Sequence, residues 1–257
     1  LGWTDLYFPE EVFEFDNPHL AEAKKLFPPS DGLIINKDIR YIFVCFTNRC
    51  GSNFFCDALA SGQSFNLAGE FFNGDTMREV SAAEGLTNIS DYLKFLTVQE
   101  AVNNVLVSKI TLMHLMVLYE FNMLPYFVQN ASFVFIQRQD LLAQAISMQI
   151  AEQTKAWTSQ QNAVISDEQL HMSLPDIAMT LDDFAFQNYL WSKFFAHNEI
   201  KWFPVTYEAL VQAPVSVLSG VSNWLEMPVK FDEQKLVLKS QSRAVNERWR
   251  AEYLARI

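Results

Sequence analysis

The sequence predicts an α/β protein of three layers, with a central, mostly parallel sheet flanked by helices and a P-loop-like turn at its edge. Three observations predict it. Two short unbroken apolar runs, YIFVCF at 41–46 and ASFVFIQR at 131–138, have the length and the aromatic and β-branched content of strands covered on both faces. Helical patterns alternate with them at lengths that suit strand–helix–strand crossovers. Directly after the first run, TNRCGSN (47–53) joins strand to helix through a Gly/Ser turn, the geometry that aims backbone N–H groups at an anion.

Each element has its own local reason. Residues 1–39 read as an N-terminal extension packing on the core around one short helix: Asn17 caps it, Pro18 suits its first turn, LAEAKKL is its body and Pro28-Pro29 stops it. Asp31-Gly32 is a turn. Past the first strand, FFCDALASG (54–62) reads as a helix ending at Gly62, and FNLAGEFFNGD (65–75) as a loop. DYLKFLTVQEAVNNVL (91–106) reads as helix, and VSKITLM (107–113) holds a short strand that runs into an apolar segment limited by Pro125. Asp140 caps a helix reaching about Trp157; a polar loop spans 159–176, and residues 177–198 are helical. IKWFPVTYEAL (200–210) reads as strand, turn and helix start, and 214–228 as a helix halted by Pro228. The basic C-terminal stretch contains a last helix. Residues 40–257 then form a single domain near the upper size for one core.

Composition narrows the function classes. The chain has 257 residues, half of them hydrophobic, with 19 basic against 30 acidic residues and a net charge of −11. A protein that coats nucleic acid needs a basic footprint, so general nucleic-acid binding is excluded while a local basic pocket is not. The cysteines, Cys45, Cys50 and Cys56, are odd in number and fall on a strand and a helix face, which argues for a reducing, cytoplasmic setting rather than a disulfide scaffold. His19, His114, His171 and His197 are too dispersed to complete a zinc site, and no metal is expected. The opening LGWTDLYFPEEVFEFDN is acidic and aromatic, unlike a secretory leader, so the NAS (130–132) and NIS (88–90) triplets are expected to go unglycosylated. The greasiest stretch, 112–128, is interrupted by His114, Glu120, Asn122 and Pro125 and falls short of a membrane span of roughly 20 residues. The 22 Phe, 8 Tyr and 6 Trp supply an aromatic core and rings for a pocket wall.

In open α/β sheets ligands bind beyond the carboxyl ends of the strands, which here means 46–53, 109–114 and 137–140. The 47–53 loop lacks the GK[ST] ending of a nucleoside triphosphatase, which removes the main parts of kinase chemistry. Arg49 still offers a fixed fork of donors, Gly51 permits the turn, and Ser52 adds a hydroxyl at the helix start. Arg138 closes the second long run, and Ser147 follows in the next helix. Arg138 either caps the sheet edge and pairs with Asp140, or turns over the helix so that it and Ser147 meet one phosphate.

Together these segments resemble the sulfotransferases, most closely the trehalose-2-sulfotransferase-like (Stf0) family. The resemblance is carried by TNRCGSNFFCDAL (47–59), GEFF (69–72), the lysine of VSKI (107–110), FIQRQDLLAQAISMQIAEQTKAW (135–157), FPVTYEALVQAP (203–214) and SRAVNERWRAEYL (242–254). It implies transfer of a sulfuryl group from 3'-phosphoadenylyl sulfate (PAPS) to an acceptor hydroxyl of a sugar, glycolipid or small natural product. Adenosine 3',5'-bisphosphate (PAP) is then the product, no metal takes part, and the protein is a homodimer. It also implies that Arg49, Cys50, Gly51, Ser52 and Asn53 hold the 5'-phosphosulfate and that Arg138 and Ser147 hold the 3'-phosphate, with Lys239 and Arg243 closing over the nucleotide. Glu70 falls on the family's general base, a role that burial would help by raising its pKa. Lys109 falls beside the sulfuryl group, and Phe71, Phe72 and His114 lie on the acceptor side. Asn53 stands where the family often has Thr or Ser, and Cys50 where it has a small polar residue. The same fold also serves non-catalytic nucleotide- or protein-binding relatives.

Overall fold

The computed structural model describes residues 6–28, 32–237 and 244–256. Four strands, β1 (Arg40–Phe46), β2 (Val105–Ile110), β3 (Ser132–Gln137) and β4 (Trp202–Thr206), form one sheet in the order β2-β1-β3-β4. Every pairing is parallel: Ile42 sits opposite Val107 on one side and Ser132 on the other, and Ile136 opposite Val205. This is the central parallel sheet that the apolar runs predict. The sheet reverses its order beside β1, so the carboxyl ends of β1 and β3 open onto one crevice.

Side chains alternate strictly between two layers. Tyr41, Phe43 and Cys45 of β1 join Phe133 and Phe135 of β3 in one core cluster, whereas Ile42, Val44 and Phe46 join Val134 and Ile136 in another. The first layer is covered by α1 (Pro18–Leu26), α3 (Gly74–Glu84), α4 (Ile89–Gln99), α5 (Leu112–Glu120), α6 (Leu124–Asn130) and α8 (Leu174–His197). The second is covered by α2 (Ser52–Ser61), α9 (Tyr207–Gln212) and α10 (Pro214–Leu225). A third cluster joins α7 (Leu141–Thr154) and α8 to α11 (Ala244–Leu254) through Ile146, Ile150, Ile177 and Trp249.

The extension contributes directly to the first layer: Phe8, Val12, Ala23 and Phe27 are buried within it. Asn17 caps α1 as expected, accepting the Leu20 N–H, while its amide donates to the Met113 carbonyl and so ties α1 to α5.

Two expectations are corrected. The helix read over 91–106 ends at Gln99, because Asn103 and Asn104 adopt positive φ (53° and 60°) and turn the chain. Val102 and Val105 exchange both backbone hydrogen bonds at 2.9 Å across that two-residue turn, so Val105 and Leu106 are already strand. The segment after GEFF, read as loop, opens α3. Asn73 caps it, and Gly74 lets α1 pass close by, since a Cβ there would lie 3.1 Å from Glu22 Cβ and 3.2 Å from His19 Cα.

Candidate active site

The turn after β1 is built from two left-handed residues, Arg49 (φ 65°) and Gly51 (φ 93°). Left-handed backbone is costly for arginine, which indicates a conformation imposed by its surroundings. Gly51 is required twice over, since a Cβ would also fall 2.4 Å from Tyr207 Cδ2. The turn delivers the chain into α2 with Ser52 as its first helical residue, so the unpaired N–H groups of that first turn face the crevice. Gln144 of α7 fixes the turn from the far side, donating to Thr47 Oγ1 (2.9 Å) and the Asn48 carbonyl (2.7 Å).

A cavity of about 220 Å³ opens at this point. Its walls bring together Arg49, Gly51, Ser52 and Asn53 from the turn with Arg138 and Ser147 from β3–α7. Arg49 bridges the two groups: Nε donates to Ser147 Oγ at 3.1 Å and Nη1 to the Trp157 carbonyl at 2.6 Å. Arg138 turns its guanidinium over the Tyr207 ring, 4.9 Å from the centroid, and its buried Nε has no hydrogen-bond partner among the described residues. Arg138 therefore lies against the start of α9. Asp140 pairs instead with Arg250 of α11, through Nη1 at 2.8 and 2.7 Å.

Glu70 and Lys109 stand next to this cavity. Gly69 is stitched to β2, its carbonyl accepting the Lys109 N–H at 2.9 Å, which brings the following carboxylate against the end of that strand. Lys109 is buried, donates to Glu70 Oε1 at 2.9 Å and to Asn53 Oδ1, and lies over the Phe46 ring. A continuous polar chain therefore runs Glu70–Lys109–Asn53 into the cavity wall. Burial, the largest single influence, pushes the Glu70 carboxyl up, but Lys109 beside it, together with His114 and His19, holds it below the ordinary carboxylate value. The raised pKa expected for Glu70 is thus reversed, because its neighbour is a cation.

Four side chains that the resemblance puts in the site, Cys50, Phe71, Phe72 and His114, are buried in the structure. The Cys50 side chain is fully buried in the second core layer, its thiol pushed up to about 12 by burial, and its N–H is spent on the Thr47 carbonyl. Phe71 and Phe72 are buried in the first layer, where the Phe71 carbonyl accepts the Tyr92 hydroxyl at 2.5 Å. They anchor the Glu70 loop. His114 is fully buried too, near enough to Glu70 to interact electrostatically with it. Lys239 and Arg243 lie outside the described residues.

The cavity also has walls that sequence reasoning did not place there. Tyr207, Asn246 and Arg250 line it, beside Trp157 just past the end of α7. Tyr207 and the α11 pair lie inside segments that carry the family resemblance, yet their spacing from Arg138 gives no helical or strand register linking them. Only the fold brings α9 and α11 over the end of β3.

A family model for the Stf0 sulphotransferases matches residues 122–256, more than half the chain, spanning Arg138, Ser147, Tyr207 and α11. The chain belongs to the Stf0 sulphotransferase family. Several solved structures are similar to this Stf0 chain. The sulfotransferase domain of the Synechococcus PCC 7002 olefin synthase is 14% identical over 88% of this chain and 91% of its own, with a TM-score of 0.50. The sulfotransferase domain from the curacin biosynthetic pathway is 14% identical, with 86% and 98% covered and a TM-score of 0.48. A retinol dehydratase solved with retinol and PAP is 11% identical, with 92% and 86% covered and a TM-score of 0.42. A search of curated proteins finds no match to the Stf0 chain. Among its described residues, no helix is long and apolar enough to cross a membrane.

Proposed function

We propose that the protein transfers a sulfuryl group from PAPS to the hydroxyl of a sugar, glycolipid or small natural product and releases PAP. One observation carries this reading: a single cavity gathers Arg49, Ser52 and Asn53 with Arg138 and Ser147, although Arg49 and Ser147 are 98 positions apart. The residues fit a donor with two anionic ends. The unpartnered, buried Nε of Arg138 needs an acceptor atom, and a phosphate oxygen is one. Arg138 and Ser147 would hold the 3'-phosphate, and Arg49, Ser52 and the N–H groups opening α2 the 5'-phosphosulfate. Bound there, PAPS supplies an activated sulfuryl group.

The remaining work falls to side chains of this chain. Arg49 spans both subsites, so its Ser147 contact sets the distance between the two anionic ends. Lys109, steered by Asn53, neutralises charge on the transferring group's oxygens. Glu70, already ionised because of Lys109, accepts the hydroxyl proton at a carboxylate oxygen while the acceptor oxygen bonds to sulfur and the bond from sulfur to the departing phosphate breaks. Three buried, free cysteines suit a cytoplasmic site of action. Calorimetry with PAP, followed by PAP release from PAPS with a panel of sugars, glycolipids and phenols, tests the reading. Micromolar PAP binding and acceptor-dependent release are expected; absence of PAP binding overturns it.

A further inference from the structure

The sheet runs out where β4 turns into α9, and a side chain carries the pairing on. Gln137 and Thr206 are the last partners in the parallel register of β3 and β4. Thr206 already caps α9, its Oγ1 accepting the Ala209 N–H at 3.2 Å, so no further strand backbone faces the end of β3. The N–H groups of Gln139 and Asp140 go to Glu208, the second residue of α9. Its Oε2 accepts the Gln139 N–H at 3.1 Å and its Oε1 the Asp140 N–H at 3.3 Å. One carboxylate thus takes two consecutive peptide donors in charge-assisted bonds. The helix macrodipole accounts for an acid in a first turn, but not for one whose two oxygens are both spent on another loop.

Arg138 immediately precedes that pair of peptides. Its guanidinium lies over the ring of Tyr207, the residue before Glu208, and its buried Nε has no partner among the described residues. The first two residues of α9 therefore bracket it, a ring against the side chain and a carboxylate on the backbone that follows. At the far end of the turn Asp140 caps α7 through the Ala143 N–H at 3.0 Å and pairs with Arg250. Tyr207 and Arg250 line the cavity, whereas Glu208 is not part of its wall. Any effect of Glu208 on a nucleotide is thus exerted through its neighbours.

We propose that Glu208 is the positioning residue for the 3'-phosphate: by clamping the Gln139 and Asp140 peptides it holds the turn from which Arg138 projects, and so keeps that guanidinium in the cavity before a nucleotide arrives. An arginine already placed gives up little freedom when the phosphate binds, so the clamp is worth affinity at that end of the ligand alone. The sign is informative. A negative charge close to a phosphate weakens binding through repulsion, and removing it would tighten binding; removing a clamp loosens it. This inference rests on the PAPS reading and extends it to how one end of the donor is held.

The probes are PAP, followed by calorimetry, and adenosine 5'-monophosphate, which lacks the 3'-phosphate, followed by nitrogen-15 shift titration. In Glu208→Ala, PAP affinity is expected to fall about tenfold while that for adenosine 5'-monophosphate stays within about twofold of the parent. Glu208→Gln keeps the length and one accepting oxygen, and should lie between the parent and Glu208→Ala for PAP alone. On an Arg138→Ala background, Glu208→Ala should change PAP affinity by less than about twofold, because the group being positioned is gone. Equal losses for the two nucleotides, an undiminished loss on the Arg138→Ala background, or tighter PAP binding each overturns the proposal. Ligand-free protein supplies a readout that does not depend on the alanine variant folding: the Gln139 and Asp140 amide signals should move upfield in Glu208→Gln, and unmoved signals also overturn the clamp. If the unmodified protein does not bind PAP, the PAPS reading falls and this inference with it; PAP binding indifferent to Glu208 sinks the inference alone.

Discussion

Lys109 decides the character of Glu70. A half-buried carboxyl in an apolar setting drifts upward, and here an ammonium at 2.9 Å, with His114 and His19, reverses the drift. Glu70 is active when ionised, so activity is present above its pKa and lost as pH falls through it. With the carboxyl held below 4.5, the acid limb lies below that value. Lys109→Met removes the main opposition to burial, and the acid limb of the pH–rate profile should move upward; an unmoved limb would dissociate Glu70 from the titration. Glu70→Gln should lower turnover by about 10²–10⁴-fold, the range of a general base, with PAP affinity unchanged by calorimetry. Arg138→Ala removes a charged donor from the cavity and should weaken PAP binding by about 10- to 100-fold, corresponding to roughly 1.5–3 kcal/mol. Lys109 and Arg138 were singled out in sequence because each sits at a strand end, and Glu70 through the family resemblance. The direction of the Glu70 shift was not, since no spacing rule says that a lysine 39 positions away will touch it.

At the scale of elements, capping residues and helix starts were read well. Asn17 and Asp140 cap α1 and α7 as their residue types and positions suggest. Asp140 has a second task that its sequence position hides, the bidentate hold on Arg250 that docks α11 at the cavity. Asp140→Asn keeps the cap and loses the ion pair. It should therefore leave the melting temperature within a few degrees while weakening PAP binding through a displaced α11. Asp140→Ala should cost about 1 kcal/mol more in denaturant unfolding through the lost cap. Glycine was the more deceptive residue. Gly74 looks like a loop residue in sequence, yet it stands in α3 because α1 passes within van der Waals contact of it. Gly51 was recognised as a turn residue from its setting, but the Tyr207 ring above it comes from 156 positions later in the sequence and could not be seen. Gly51→Ala meets both a left-handed backbone, worth about 1–2 kcal/mol, and that ring, and should abolish PAP binding at a visible loss of stability.

For the whole molecule, alternation along β1 and β3 dictates two cores, and the aromatic excess goes mainly to one. Trp191 and Phe195 of α8 stack at 5.5 Å, and both rings lie against Phe135 of β3. Trp191→Ala should destabilise the fold by about 3–5 kcal/mol in chemical denaturation, a large share of the 5–15 kcal/mol typical of a domain. Composition announced this core without saying which rings would be left for a ligand. Phe71 and Phe72 were drawn into the interior because their loop is pinned to β2 and α4, and Trp157 stayed at the cavity because α7 ends just before it. The net charge of −11 likewise conceals three arginines along a single cavity.

The bridge from Arg49 to Ser147 and the Trp157 carbonyl has a thermodynamic consequence. An arginine swinging in solvent surrenders about 2 kcal/mol of rotamer entropy when an anion arrests it. Folding has already arrested this one, before any nucleotide arrives. Association with a bisphosphate should then carry an unusually small entropic cost at this side chain, and the difference should appear in the intercept of a van't Hoff plot, not in its slope.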